Sequence, residues 1–341
     1  MIKIKLYELD KHRNECAFRP YIAAQDVLRE VGIEFTTGDS YDFAWVAQAS
    51  FLNKKVSLEQ SINDGLEFLS KISGDYMLLD GQDSASLLGS YEVFKQSNAL
   101  LLLKNSLYAD RSLYKQGLVL GRYYWGPGDY KLDDFDEYSD RIVLSGTNWL
   151  STHWSGIRPR WYDYRREKTY DVSAMFQYPS PEIYEHGQLQ SIHYDNFRKR
   201  GIDVIDGMNN INVAKLINGE RVSIGEYYNR MFNSKIIFAP YGFGEMAPRD
   251  MEAMMFGNIL IKPDMSHIET IPNIYIAGQT YISCKHDFSD LQEKIESVLG
   301  NYNYYSHIVE NAKNRILGTM EHEKLAIYLH TLFSNLDSII L

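Results

Sequence analysis

Cysteine is nearly missing from this chain: Cys16 and Cys284 are the two in 341 residues. Two thiols far apart make neither a disulfide framework nor a Cys-x-x-Cys metal site, and they point to a reducing compartment. Positive charge is in deficit as well. Lys and Arg number 35 against 45 Asp and Glu, a formal balance of 35 − 45 = −10. That balance disfavours sequence-independent binding to a polyanion, because no excess cation stands ready to replace counterions. Long apolar runs are absent too. None approaches the roughly 18 residues of a spanning helix. Met1-Ile2-Lys3-Ile4-Lys5 turns charged at once, without the apolar region of a signal peptide. The expectation is a cytoplasmic protein with no transmembrane segment.

Other absences narrow the chemistry. Nine histidines include no His-Glu-x-x-His, and no cluster of carboxylates has ligand spacing, so no catalytic metal and no cofactor are expected. His186, His193 and His267 read as surface or hydrogen-bonding residues. Asp133–Glu137 (DDFDE) is acidic but not bounded by strands, and reads as a solvated loop. No Gly-x-Ser-x-Gly elbow supports a hydrolase. No repeat or low-complexity segment interrupts the chain.

What is present is globular. Hydrophobic residues make up 45% of a chain too long for one ordinary core, which predicts two domains. Strand-like and helical patterns alternate. Strands are expected at Ile2–Leu6, Ile33–Phe35, Tyr41–Ala47, Asp75–Asp80 and Ala99–Lys104, with helices over Arg19–Val31 and Ser57–Ile72. A second series places strands at Lys168–Gln177, Ile202–Ile205 and Thr280–Lys285. Helices are expected at Gly187–Arg200, Ile224–Phe232, Asp287–Leu299, Tyr304–Leu317 and His322–Leu336. The aromatic segment Ser145–Arg166 is expected to connect the two series. Gly121–Tyr130 is a glycine- and aromatic-rich loop whose rings can stack on sugars or fill a corner.

Two stretches carry candidate chemistry. Asp80-Gly81-Gln82-Asp83 follows an apolar strand, at a sheet edge where ligands bind. Asp80 or Asp83 can act as a general base towards an acceptor hydroxyl. The alternative is an Asx-turn with Asp83 as a helix cap.

The second stretch is 235–263, KIIFAPYGFGEMAPRDMEAMMFGNILIKP. It predicts strand, glycine loop, helix and strand. Pro240 ends the first strand, Pro248 suits a helix first turn, and Gly257 suits its C-terminus. The result is a βαβ unit whose loop lies at the carboxyl edge of a parallel sheet. Backbone amides around Gly242–Glu245 and the positive helix end can accept a diphosphate. Arg249 and Glu252 share a helix face, one able to pair with phosphate and the other to accept from a ribose diol. An ordinary βαβ corner with a helix salt bridge is the alternative. Lys262, near the end of the second strand, is either a further phosphate group or an exposed lysine.

This stretch, together with Asp264–Asn273 (DMSHIETIPN), resembles the donor-binding segment of GT-B glycosyltransferases, nearest to group-1-like enzymes with an exostosin-like R-x-x-E-A…G signature. The likeness is specific over about 235–290 and diffuse elsewhere. Many group-1 enzymes separate two glutamates by seven residues, whereas six separate Glu245 from Glu252. The resemblance implies an α/β GT-B fold, with two Rossmann-like domains facing across a cleft. Residues 1–165 would bind the acceptor and 166–320 the nucleotide sugar, and 321–341 would cross back to the first domain. It implies a metal-independent glycosyltransferase, hexosyl- or related, moving sugar from a nucleotide diphosphate sugar to a hydroxyl of a glycan or other acceptor. Donor-binding residues would be Tyr241, Gly242, Phe243, Gly244, Glu245, Arg249, Glu252 and Lys262, with Glu252 on the ribose. Two alternatives share the fold: a catalytically inactive nucleotide- or sugar-binding protein, and a transferase acting on hydroxymethylated DNA bases.

Overall fold

The computed structural model describes residues 1–7, 11–36, 38–52, 56–117, 131–146, 167–176, 184–185, 188–189, 192–216, 220–242, 244–319 and 321–336. The Gly121–Tyr130 loop, most of the Ser145–Arg166 connection, His186 and Phe243 lie outside these residues.

The N-terminal half is strand and helix in alternation. Its strands are β1 (Ile2–Tyr7), β2 (Ile33–Thr36), β3 (Phe43–Ala47), β4 (Tyr76–Asp80), β5 (Leu102–Lys104), β6 (Ser106–Tyr108) and β7 (Ile142–Leu144). Its helices are α1 (Lys11–Ala23), α2 (Gln25–Glu30), α3 (Gln48–Phe51), α4 (Leu58–Leu69), α5 (Ser90–Gln96), α6 (Ser112–Lys115) and α7 (Phe135–Tyr138). Six strands form one sheet in the order β2-β1-β3-β4-β5-β7, every pair parallel. β3 and β4 are buried along their whole length, as strands covered on both faces must be. Local signals set the helices between them. Ser57 caps α4 by accepting from the Gln60 amide at 3.1 Å.

The C-terminal half repeats the plan. It contains β8 (Tyr170–Ala174), β9 (Tyr184–Glu185), β10 (Gln188–Leu189), β11 (Val213–Lys215), β12 (Ser234–Phe238), β13 (Ile259–Pro263), β14 (Ile268–Thr270) and β15 (Ile282–Cys284). The helices are α8 (Ile192–Asp206), α9 (Ile224–Phe232), α10 (Pro248–Met255), α11 (Leu291–Gly300), α12 (Ser306–Thr319) and α13 (His322–Ser334). The second sheet runs β11-β8-β12-β13-β15, again all parallel. Both sheets therefore have a doubly wound order, with the strand direction of winding reversing beside the first strand of each half. Two parallel Rossmann-like sheets are the α/β class that the GT-B resemblance implies.

The carboxyl edges of the sheets meet. The loop after β4 touches the loop after β12: a Cβ on Gly244 would lie 1.9 Å from the Asp83 carbonyl oxygen. β6 and β14, one from each half, pair antiparallel, and the Ala109 amide continues the ladder to the His267 carbonyl at 2.9 Å. Leu107, Tyr108 and Ile268 carry one buried core from sheet to sheet. Helix α13 packs on α2, where Ala326, Leu329 and Phe333 join the core beneath β1 and β3. Tyr328 donates to the Leu144 carbonyl at 2.6 Å.

Three expectations need correction. Ile202–Ile205 is not a strand but the C-terminal part of α8. Its β-branched residues look strand-like, and Gly201 reads as a stop. In the fold Gly201 lets the helix approach β12, since a Cβ there would come within 2.7 Å of the Phe238 ring. The strand of that region is β11, further along. Asp133–Glu137 is not simply solvated: Phe135 is buried, and Asp134 accepts from Tyr91 at 2.8 Å and from Lys95. Arg19–Val31 is two helices, with α1 starting well before Arg19.

Candidate functional site

The topological switch point of the second sheet lies between β8 and β12, where the winding reverses. Phe176 follows β8 and Tyr241 follows β12, both buried. Two guanidinium groups converge there. Arg198 from α8 lies over the Phe176 ring at 5.4 Å and donates from Nε to the Tyr241 carbonyl at 3.3 Å. Arg249 from α10 lies over the same ring at 5.5 Å. A ring face attracts a cation at this distance. The Arg249 Nε is buried without a hydrogen bond.

Helix α10 starts as its sequence requires. Pro248 occupies the first turn, and Asp250 Oδ2 accepts from the Ala247 amide at 3.0 Å. The same oxygen accepts from Tyr275 at 2.7 Å and pairs with Lys262 Nζ at 3.1 Å. Lys262 also donates to the Ala239 carbonyl at 3.3 Å and lies 5.2 Å from the Tyr241 ring centroid. It is fully buried, so the exposed-lysine alternative is excluded. Burial pulls its amine down, while Asp250 opposes the shift. Lys262 is thus a support that holds Asp250, and through it the start of α10.

Glu252 lies one turn along α10 and is 7% exposed. Its Oε2 accepts from the Tyr227 hydroxyl of α9. Burial pushes the carboxyl up, and Tyr227 and Arg249 partly offset it. The alternative of a plain salt bridge between Arg249 and Glu252 fails on geometry, since no ion pair forms between them. Tyr227 instead fixes the carboxylate, and burial also pushes the phenol up.

The glycine loop is partly bonded to itself and to the other half. The Gly242 amide donates to the Gly244 carbonyl at 2.8 Å, and the Met246 amide to the Asp83 carbonyl at 3.3 Å. Those amides are therefore engaged within the protein in this state. Tyr241 is buried and its hydroxyl donates to the Asp264 carbonyl. Glu245 is fully buried, and its Oε2 accepts from the Ala85 amide of the other half at 3.0 Å.

Asp80 and Asp83 part company. Asp80 is fully buried at the end of β4. It accepts from the Gln82 amide at 2.9 Å and from Ser90, and pairs with Lys104 at 3.3 Å. Asp80 therefore makes an Asx-turn, and its saturated, sealed carboxylate is closed to an acceptor hydroxyl. Asp83 is half-buried at the seam between the halves. It does not cap α5, which starts at Ser90 with Gly89 in the N-cap position.

Sequence reasoning missed Arg198, Phe176 and Tyr227. Arg198 sits in a run of basic residues (RKR) that reads as a solvated helix face, and its role depends on β8 lying beside β12. Tyr227 was within an expected helix, without a local sign that its hydroxyl reaches α10. Among the described residues, no group of three or more His, Cys, Asp or Glu could hold a metal ion, and no helix is long and apolar enough to cross a membrane.

No protein-family model matches this chain, and no curated protein matches it in sequence. Solved structures do. HepE from Anabaena, in complex with UDP-glucose, is similar at 12% identity over 98% of this chain and 100% of its own, with a TM-score of 0.48. Sucrose-phosphate synthase from Thermosynechococcus elongatus is similar at 11% identity over 99% and 100%, with a TM-score of 0.47. A glycosyltransferase from Rickettsia africae gives 11%, 98%, 98% and 0.42.

Proposed function

We propose that this protein is a cytoplasmic, metal-independent GT-B glycosyltransferase that moves a sugar from a nucleotide diphosphate sugar to a hydroxyl acceptor. The observation that carries the reading is the convergence of Arg198 and Arg249 on Phe176 at the switch point, beside the start of α10 and the buried Glu252. Residues 166–320 take the donor, residues 1–165 present the acceptor, and 321–341 belong with the first domain. The two guanidiniums and the helix end offset charge on the diphosphate as it departs, where negative charge grows in the transition state. Glu252, oriented by Tyr227, accepts from the ribose diol. Tyr241, Gly242, Gly244 and Glu245 support the donor side from within the protein. Lys262 acts by holding Asp250. Of the two acidic candidates for base, Asp83 is the one not sealed from solvent.

A second reading is favoured by one observation. Asp80 is saturated, and a chain with no competent base at Asp83 would bind nucleotide without turnover. The two are separated by screening nucleotide sugars for thermal stabilisation, then assaying hydrolysis and transfer with the best. A ligand at a hundred times its Kd stabilises by about 2.7 kcal/mol through mass action. Stabilisation with turnover supports the enzyme, stabilisation alone supports the inactive binder, and neither contradicts both.

A further inference from the structure

Three successive residues of the second half sit on three successive residues of the first. Gly244 packs on the Asp83–Ser84 backbone, Glu245 Oε2 accepts from the Ala85 amide at 3.0 Å, and the Met246 amide reaches the Asp83 carbonyl at 3.3 Å. Besides the half-buried Asp83, the acidic side chain of this seat is Glu245. It is fully buried, and its Oε1 is buried without a hydrogen-bond partner.

The charged and titratable groups around it come from both halves. Lys104 on β5 and Asp80 on β4 form a buried pair at 3.3 Å, and Lys104 also donates to the Gln82 carbonyl at 3.3 Å. Lys262 on β13 is committed to Asp250 and Ala239. The phenols of Tyr114 on α6 and of Tyr241 also feel the Glu245 charge. Neither lysine forms an ion pair with Glu245. A carboxylate sealed there with one oxygen unsatisfied is costly, whereas a neutral carboxyl is much less so. Burial accordingly pushes this carboxyl above its ordinary value, against the opposing pull of the Ala85 amide, Ser84 and Lys104.

We propose that Glu245 is a proton-linked clasp between the two halves: its neutral carboxyl holds residues 244–246 on residues 83–85, and loss of the proton to solvent loosens that seat. The sign follows from linkage. Opening the seat returns the carboxyl to water and to its ordinary range, so the closed seat binds the proton more tightly. The clasp is at full strength below the ordinary carboxylate range and is lost as pH rises through the elevated value of the closed state. Loosening stays local, because the backbone ladder of β6 and β14 and the apolar packing of Ala326, Leu329 and Phe333 of α13 hold the halves together without a titrating group. The clasp needs no nucleotide and stands independently of the transferase reading.

The test is the amide-exchange protection of Ala85, corrected for the intrinsic effect of pH, in the ligand-free full chain from about pH 5 to 8. Protection in the native protein is expected to fall with pH, by up to tenfold per unit between the ordinary carboxylate range and the elevated value, and to level off above it. In Glu245→Gln it should be flat, since the amide still accepts from Ala85 but cannot ionise. Gly244→Ala, which props the seat apart and leaves Glu245 in place, should give low protection without pH dependence. The Ala109 amide in the β6–β14 ladder is the internal reference and should not change. A flat profile in the native protein, or the native slope persisting in Glu245→Gln, overturns the proposal; if Glu245→Gln does not fold, a native slope that survives in Gly244→Ala overturns it equally.

Discussion

Each sheet carries one fully buried lysine paired with one fully buried aspartate near its carboxyl edge: Lys104 with Asp80 in the first, Lys262 with Asp250 in the second. The surroundings differ. Asp80 is saturated by its own loop, through Gln82 and Ser90, so the pair fixes the 80–90 segment. Asp250 spends one oxygen on the start of α10, on Tyr275 and on Lys262, and leaves Oδ1 without a partner. The first pair closes a loop; the second aims a helix. Among the described residues, the second edge also gathers two arginines at its switch point. Two sheets of like winding have thus been given different work by the groups their pairs support.

The largest expected effect tests whether the pairs are comparable in stability. Asp80→Asn or Lys104→Met alone should cost about 3–5 kcal/mol, because either leaves an uncompensated buried group, and the double substitution should recover much of it. Urea denaturation of the three variants measures this. Lys262→Met should cost as much in stability and should also weaken nucleotide binding, through Asp250. The Asp80–Lys104 double variant should leave that affinity unchanged.

Next in size is Glu252→Ala, expected to lose roughly 1.5–3 kcal/mol of nucleotide affinity with the fold intact, as for one hydrogen bond to a charged group. Tyr227→Phe should lose less, since it removes the group that orients the carboxylate and not the carboxylate. Both are read by calorimetry on folded protein. Unchanged affinity in both would reduce Glu252 to a packing residue of the second sheet.

Gly201→Ala is expected to cost about 1–3 kcal/mol by overpacking α8 against Phe238, measured as a loss in thermal or urea stability. The smallest effect belongs to the exposed pair that bridges the halves, Arg111 with Glu269 at 2.8 Å. Its side chains are 36% and 48% exposed, so Arg111→Ala should change stability by less than about 1 kcal/mol. A large loss there would mean that the seam between the halves is more tightly coupled than its exposure implies.

Much of this contrast could be read in the sequence, and what could not has a physical cause. The strands β3, β4, β12 and β13 are apolar runs with proline or glycine punctuation, and the βαβ unit of 235–263 follows from that pattern alone. Arg249 and Glu252 are close in sequence, so their shared helix face is a local property. Arg198 and Phe176 are brought to Arg249 by the pairing of β8 with β12, which no local pattern encodes. The same holds for the burial of Asp80, set by Lys104 on a neighbouring strand, and for Glu245, whose partner Ala85 is 160 residues away. The Ile202–Ile205 misreading is a case of packing overriding propensity: β-branched residues and a glycine occur inside a helix because the sheet beneath needs the close approach.

The central claim is that the edge of the second sheet binds a nucleoside diphosphate group, and calorimetric titration with a panel of nucleoside diphosphates tests it most directly. The native protein should bind at least one of them. Glu252→Ala should bind it at least tenfold more weakly, and Arg111→Ala should bind it like the native protein. Absence of binding by the folded native chain, or equal binding by Glu252→Ala, would contradict the account.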